Sequence, residues 1–329
     1  MTLIASHITS FMRQRLPVER RVSDNTCESY AYAFKLLFEY ASNCLHVPPS
    51  ELHLEQLDAP LIVTFLNHLE TVRGNGPNSR NIRLAAIKSF MRFMEYRVPT
   101  ALEQIRRILA IPVKKADTRL VRHLTVEEMQ AILDAPEPNN RDGIRDRAML
   151  HLCFAGGLRV SELMGLQLDN LNLQPHASVL VHGKGRKERC LPLWKETTSA
   201  LRAWLAVRGT VLAPELFLNA RGEPMTRFGF EYILRKHVHT AVKRCPSLST
   251  KRVSPHVLRH TCALTLLQAT NDLRKVALWL GHANMQTTEM YTRTDPSIKL
   301  EALESVVAPK LRSDRQTDRR ITDRYCYAE

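Results

Sequence analysis

The sequence predicts a mainly α-helical fold with one small β-hairpin or sheet, divided into two domains. Three features predict it. Apolar residues recur at helical spacing over most of the chain. A single pair of alternating runs, 178–182 (SVLVH) and 189–193 (RCLPL), brackets Gly183-Lys184-Gly185-Arg186-Lys187 as the arms of a hairpin bracket a turn. From about residue 110 to 123 (AIPVKKADTRLVRH) there is a proline, a lysine pair and no periodicity, which reads as a linker. The expected layout is a helical domain over 1–110, a linker over 111–123, a second domain over 124–310 and a loose tail over 311–329.

In the first domain, segment 25–41 carries Tyr30, Phe34, Leu37 and Phe38 on one stripe, with Asn25 and Glu28 as a capping pair. Segment 59–71 follows Asp58, and the breaker Gly74-Asn75-Gly76-Pro77 comes after it. Segment 78–97 has Ile82, Ala86, Phe90 and Phe93 on one side and Arg80, Arg83, Lys88 and Arg92 on the other. Such a helix buries one face and offers cations on the opposite one, to a polyanion or only to water. In the second domain, Thr125 and Glu128 form a capping box ahead of MQAILDA. A helix over 142–155 ends at Gly156-Gly157, a C-terminal cap. Beyond the hairpin, helices are expected near 195–207, 226–243, 255–268, 272–280 and 299–307. The last stretch, 311–329, mixes Arg and Asp without an apolar period.

Charge narrows the function. Among 329 residues there are 47 Lys+Arg and 33 Asp+Glu, a net charge of +14, which favours a polyanionic partner. No run approaches the roughly 18 uninterrupted apolar residues of a membrane span, and the N-terminus MTLIASHITSFMRQR lacks the pattern of a secretory signal, so a cytoplasmic protein is expected. The seven cysteines are scattered and include no C-x-x-C pair; reduced thiols packed as small hydrophobes are expected.

The densest chemical signal is Ser254-Pro-His-Val-Leu-Arg-His-Thr261. Ser254 suits an N-cap and Pro255 a first helical turn, placing His256 and Arg259 on one face near a helix start. A helix N-terminus attracts phosphate, a guanidinium can clamp it, and an imidazole can move a proton. A metal site on His256 and His260, spaced i, i+4, is the competing reading. It lacks the glutamate of H-E-x-x-H and would set Arg259 against the ion, so no metal and no cofactor are expected. Around this word lie Gly157-Leu-Arg159-Val-Ser-Glu162-Leu163, the hairpin tip with Lys184, Leu280-Gly-His282, and Tyr291.

This ordered set resembles the tyrosine recombinase (phage integrase) family, whose order is Arg, Lys on a β-hairpin, H-x-x-R, His or Trp, then Tyr. The matching positions are Arg159, Lys184, His256, Arg259, His282 and Tyr291, and the neighbouring words G-L-R-x-S-E-L, G-K-G-x-K-E-R and L-G-H agree. The likeness spans roughly 23–308. It implies a helical, SAM-like core-DNA-binding domain and a mixed α/β catalytic domain, with double-stranded DNA as partner. It also implies a 3′-phosphotyrosyl intermediate and assembly as a homo- or hetero-tetramer of related recombinases on DNA. Tyr291 would be the nucleophile, Arg159 and Arg259 would hold the phosphate, and His256 would accept the phenolic proton. Lys184 would be the general acid, with Lys187 its rival in the loop. His282 would bond or buttress the phosphate, and Glu162 would orient these groups. Arg80, Arg83, Lys88 and Arg92 would bind DNA. Integration or transposition of a mobile element is the leading role. Chromosome or plasmid dimer resolution, a catalytically silent DNA-binding accessory protein and topoisomerase-like relaxation are alternatives. One core-binding domain, without a separate arm-site domain, is expected ahead of the catalytic half.

Overall fold

The computed structural model of the chain describes residues 2–116, 122–183, 187–209, 212–282, 287–289 and 291. The expected hairpin tip at Lys184, the helix over 299–307 and the tail over 311–329 lie outside the described residues. The chain divides into two compact units, 1–118 and 119–329. No described helix is long and apolar enough to cross a membrane.

The first unit is helical. It contains α1 (Ile4–Ser10), which continues as a π-helical stretch over Phe11–Glu19, then α2 (Asp24–Leu45), α3 (Ala59–Thr71), α4 (Pro77–Met94) and α5 (Leu102–Ala110). Asp58 caps α3 through the Leu61 N–H at 2.8 Å, because its short carboxylate reaches a free N–H of the first turn. The capping pair expected at Asn25 and Glu28 does not form. Helix α2 already starts at Asp24, so both side chains stand exposed in its first turns. The core is aromatic, with Phe11, Phe34 and Phe90 meeting edge-on at centroid separations of 5.3–6.1 Å.

Helix α4 corrects the expected amphipathic pattern. Ile82 is 50% exposed, whereas Leu84, Ile87, Met91 and Met94 complete the buried face with Phe90. Arg80 is only 7% exposed and reaches Asn81 and the Pro112 carbonyl, with Glu70 at 3.9 Å. Lys88 donates to the Ile111 carbonyl at 2.6 Å, and Asn81 exchanges two bonds with the Lys114 backbone. The first residues of the expected linker are thereby tied to α4.

The second unit contains α6 (Val126–Leu133), α7 (Arg141–Ala155), α8 (Val160–Met164), a three-stranded antiparallel sheet, α9 (Lys195–Arg208), α10 (Arg227–Ala241), α11 (Pro255–Thr270) and α12 (Leu273–Leu280). The strands are β1 (Leu171–Asn172), β2 (Ser178–His182) and β3 (Glu188–Pro192), in that spatial order. Val179 pairs with Leu191 and Val181 with Arg189, so Leu191 and Arg189 lie on one face of β3. Trp204 of α9 is fully buried beside Phe217 and donates to the Leu216 carbonyl at 2.8 Å.

Two features hold α11 in place. The Thr125–Glu128 capping box forms as expected, and the buried Glu128 also takes bonds from Ser247 and Lys251, both at 2.6 Å, in the segment leading to α11. Thr261 of α11 accepts from the Leu124 N–H at 3.0 Å. Ser254 precedes α11 without a side-chain cap. Pro255, which has no N–H to satisfy, lowers the need for one.

Candidate active site

Glu162 is the centre of the site. It sits in the first turn of α8, buried, and one oxygen accepts the Arg159 N–H at 2.9 Å while the other takes the Arg159 guanidinium at 2.6 Å. Arg189, reaching in from β3, makes two parallel bonds to the same carboxylate, at 3.2 and 2.8 Å. Arg259 of α11 lies 3.8 Å from it. Burial pushes the Glu162 carboxyl up, but the bonds from Arg189 and Arg159 outweigh it and hold the group below the ordinary carboxylate range. Three guanidiniums facing one carboxylate leave the pocket strongly cationic, and Arg159 is the most open of the three.

Arg259 is 4% exposed. It is fixed by the Gly157 carbonyl at 2.5 Å and the Leu280 carbonyl at 2.7 Å. Both acceptors exist because of glycines. Gly157 ends α7 at φ +54°, and a Cβ there would stand 2.6 Å from Leu280. Gly281 ends α12 at φ +63°, where a Cβ would press on Arg189 at 3.0 Å. The turns that place Arg159 and His282 therefore also carry the backbone around the arginines. Burial and the neighbouring Arg159 lower the Arg259 pKa to about 10, leaving it charged at neutral pH.

Tyr291 joins the small apolar cluster of Leu264, Leu267, Val276 and Leu280 between α11 and α12, and is 1% exposed. Its hydroxyl lies 2.9 Å from Nδ1 of His260, and its ring stacks on His282 at 6.5 Å. Burial raises the phenol to about 12, with Arg259 and Arg159 pulling the other way. Burial first, then nearby cations, lowers His260 and His282 to about 4, so both rings are neutral at neutral pH. His282 is oriented by Thr288 at 2.9 Å. His256, one turn before His260, is exposed and stacks on it at 6.3 Å.

Residues 122–297 match the phage integrase family, and residues 8–97 match the N-terminal SAM-like domain of phage integrases. The chain belongs to the phage integrase family. A protein of Sinorhizobium fredii named as an integrase/recombinase is 44% identical over 300 residues, covering 91% of this chain and 90% of the relative. Tyrosine recombinase XerC of Pelobacter propionicus is 34% identical over 303 residues, covering 92% and 95%. Among solved structures, the Tn1549 transposon integrase with circular intermediate DNA aligns with a TM-score of 0.69 at 17% identity, covering 93% of this chain and all of that one. XerH recombinase on its difH substrate aligns at 0.65 and 24%, covering 87% and 81%.

Within this phage integrase fold, Arg159, Arg259, Glu162, His256, His282 and Tyr291 come from separate parts of the second unit to one locality. Lys184 lies outside the described residues, and its rival Lys187 is exposed. Two members of the locality have no catalytic role from sequence, where His260 figured only in the competing metal reading. Arg189 was legible in the strand alternation that puts it on the face of Leu191, and His260 in the same word as Arg259. The phenolic partner is also corrected, since Tyr291 bonds His260 and not His256. Of the four cations expected on α4, Arg80 is buried, Lys88 holds a backbone carbonyl, and Arg83 bonds Ser29 and covers the Tyr32 ring; Arg92 is exposed.

Glu162→Gln should destabilise the second unit by about 3 kcal/mol, because three buried or half-buried cations lose their counter-charge. The carboxyl binds its proton less tightly when folded. Its contribution is thus fully present above the ordinary carboxylate range and is lost as pH falls below that range through the lower folded pKa. Thermal denaturation across acid pH checks both points: the wild type should lose stability there while the variant changes less.

Proposed function

We propose that this chain is a site-specific DNA recombinase that cuts and rejoins strands through a 3′-phosphotyrosyl bond at Tyr291, acting in the cytoplasm. The observation carrying this reading is the convergence of three guanidiniums on one buried carboxylate beside a buried tyrosine hydroxyl. A phosphodiester gains negative charge as it becomes pentacoordinate, and Arg159 and Arg259 would bind the nonbridging oxygens where that charge develops. The Tyr291 oxygen forms a bond to phosphorus while the bond to the 5′-oxygen breaks. By its place in the family pattern, Lys184 supplies the proton that the leaving oxygen takes up. His282, neutral and held by Thr288, would donate to a phosphate oxygen. Glu162 and Arg189 keep the other arginines in place.

Because the new ester keeps the free energy of the broken one, rejoining needs no nucleotide and no divalent ion. Integration or transposition of a mobile element is the role we favour. The relative named as an integrase/recombinase is 44% identical over 300 residues, against 34–39% for the relatives named as tyrosine recombinases XerC and XerD. Strand exchange between two duplexes calls for four protomers on two sites, and Arg92 is the α4 cation best exposed to reach a DNA backbone.

The test is a duplex selected by the protein from a random pool and nicked beside the cleaved phosphate, so that the short product strand diffuses away. A detergent-resistant protein–DNA adduct should accumulate equally with EDTA or Mg²⁺. Strict dependence on Mg²⁺, or selected duplexes that bind and are never attacked, would contradict the proposal.

A further inference from the structure

We propose that His260 is the proton acceptor for the Tyr291 hydroxyl, taking the proton onto Nδ1 as the phenolic oxygen attacks phosphorus. This rests on the reading of Tyr291 as nucleophile and adds to it a residue outside the six-residue pattern.

The geometry leaves the phenol few alternatives. Its oxygen is buried with the rest of the ring, so a protein group is better placed than bulk water to take the proton, and Nδ1 of His260 stands 2.9 Å away. The two rings meet at 60°, which lets the hydroxyl point in the plane of the imidazole towards a lone pair. His260 is neutral at neutral pH, so with the phenol donating, Nδ1 is the bare nitrogen and Nε2 carries the hydrogen.

Burial keeps the proton on the Tyr291 oxygen until DNA arrives, against the pull of Arg259 and Arg159, and the charge around His260 opposes its protonation. Arg259 and Cys262 face the phenol from α11, and Arg159 from the turn before α8. His282 stacks on the ring, and His256 stacks on His260. Arg259 and His256 oppose a second positive charge on His260. A phosphodiester anion seated on Arg159 and Arg259 offsets that field, so the imidazolium becomes affordable in the attacking complex. The step balances. The O–H bond of Tyr291 breaks and its electron pair makes the O–P bond, the proton goes to Nδ1, and the P–O5′ bond breaks onto an oxygen protonated by the general acid. Rejoining runs the same transfers backwards, with His260 returning the proton. His256, exposed beside it, is left free to touch the phosphate.

Single-turnover adduct formation across a pH series separates this from a packing role. In His260→Asn the amide oxygen can occupy the Nδ1 position and accept the hydrogen bond but cannot take a proton. It should bind DNA as the wild type does, form adduct about 100-fold or more slowly, and recover part of the loss at alkaline pH. His260→Phe should be no faster than His260→Asn. A His260→Asn protein with wild-type rate and pH profile would overturn the proposal, as would loss of that pH dependence in His256→Asn alone. Tyr291→Phe, run in parallel, keeps the two claims apart, because an adduct there refutes the nucleophile itself. If the His260 variants do not fold, ¹⁵N-histidine NMR decides. The wild-type His260 Nδ1 signal should move when Tyr291→Phe removes the donor, and an unmoved signal would refute the contact.

Discussion

Replacing Tyr291 with phenylalanine is expected to abolish the covalent protein–DNA adduct while leaving DNA binding intact. The ring packs among Leu264, Val276 and Leu280, and phenylalanine fills the same volume, so the fold should lose only the hydroxyl's bond to His260. That costs about 1 kcal/mol of stability, a small shift in melting temperature. Under the proposed mechanism catalysis would lose the atom that bonds to phosphorus, a deficit on the order of a million-fold by comparison with deletion of other covalent nucleophiles. Detergent gels of the nicked-duplex reaction and a parallel gel-shift titration measure the two effects. Adduct at the wild-type rate, with binding unchanged, would move the nucleophile elsewhere.

Arg259 should show the opposite balance, damaging both chemistry and fold. In Arg259→Ala the phosphate would lose one of the two guanidinium contacts proposed for it, expected to cost about 3 kcal/mol in the transition state, or roughly 10²-fold to 10³-fold in cleavage rate. The same change leaves the Gly157 and Leu280 carbonyls without their donor and removes one cation from around Glu162, so unfolding should ease by about 3 kcal/mol. Arg259→Lys sharpens the comparison. An ammonium keeps the charge but cannot span two carbonyls and a phosphate at once. Its cleavage rate should fall nearly as far as in the alanine variant, while its DNA affinity stays close to wild type. Equal losses in affinity and rate for both variants would make Arg259 a binding residue only.

Much of this was legible because the responsible signals are local. The Thr125–Glu128 box and the alternation over 178–182 each act within a few residues, and each appears where the sequence puts it. The glycines in G-L-R and L-G-H have local backbone reasons too, as positive-φ helix ends. What escaped depends on tertiary partners. Helical spacing alone could not show that Arg80 is drawn inward by Glu70 and the Pro112 carbonyl while Ile82 turns to solvent. Helix α5, at Leu102–Ala110, is not among the helices expected from the sequence. In the site, the six-residue pattern names residues one by one, five of which the described structure brings to one locality, but the pairing of Tyr291 with His260 and of Arg189 with Glu162 needed strand β3 and helix α11 folded against one another's neighbours.

The central claim is that the Tyr291 oxygen itself carries the cleaved strand. Its most direct test is to trap the adduct on the nicked duplex, digest with trypsin and nuclease, and fragment the nucleotide-bearing peptide by mass spectrometry. The tryptic peptide covering 276–293 should bear a nucleotide esterified through its 3′-phosphate, with the added mass on Tyr291. Added mass on any other residue, or a linkage through the 5′ end, would contradict it.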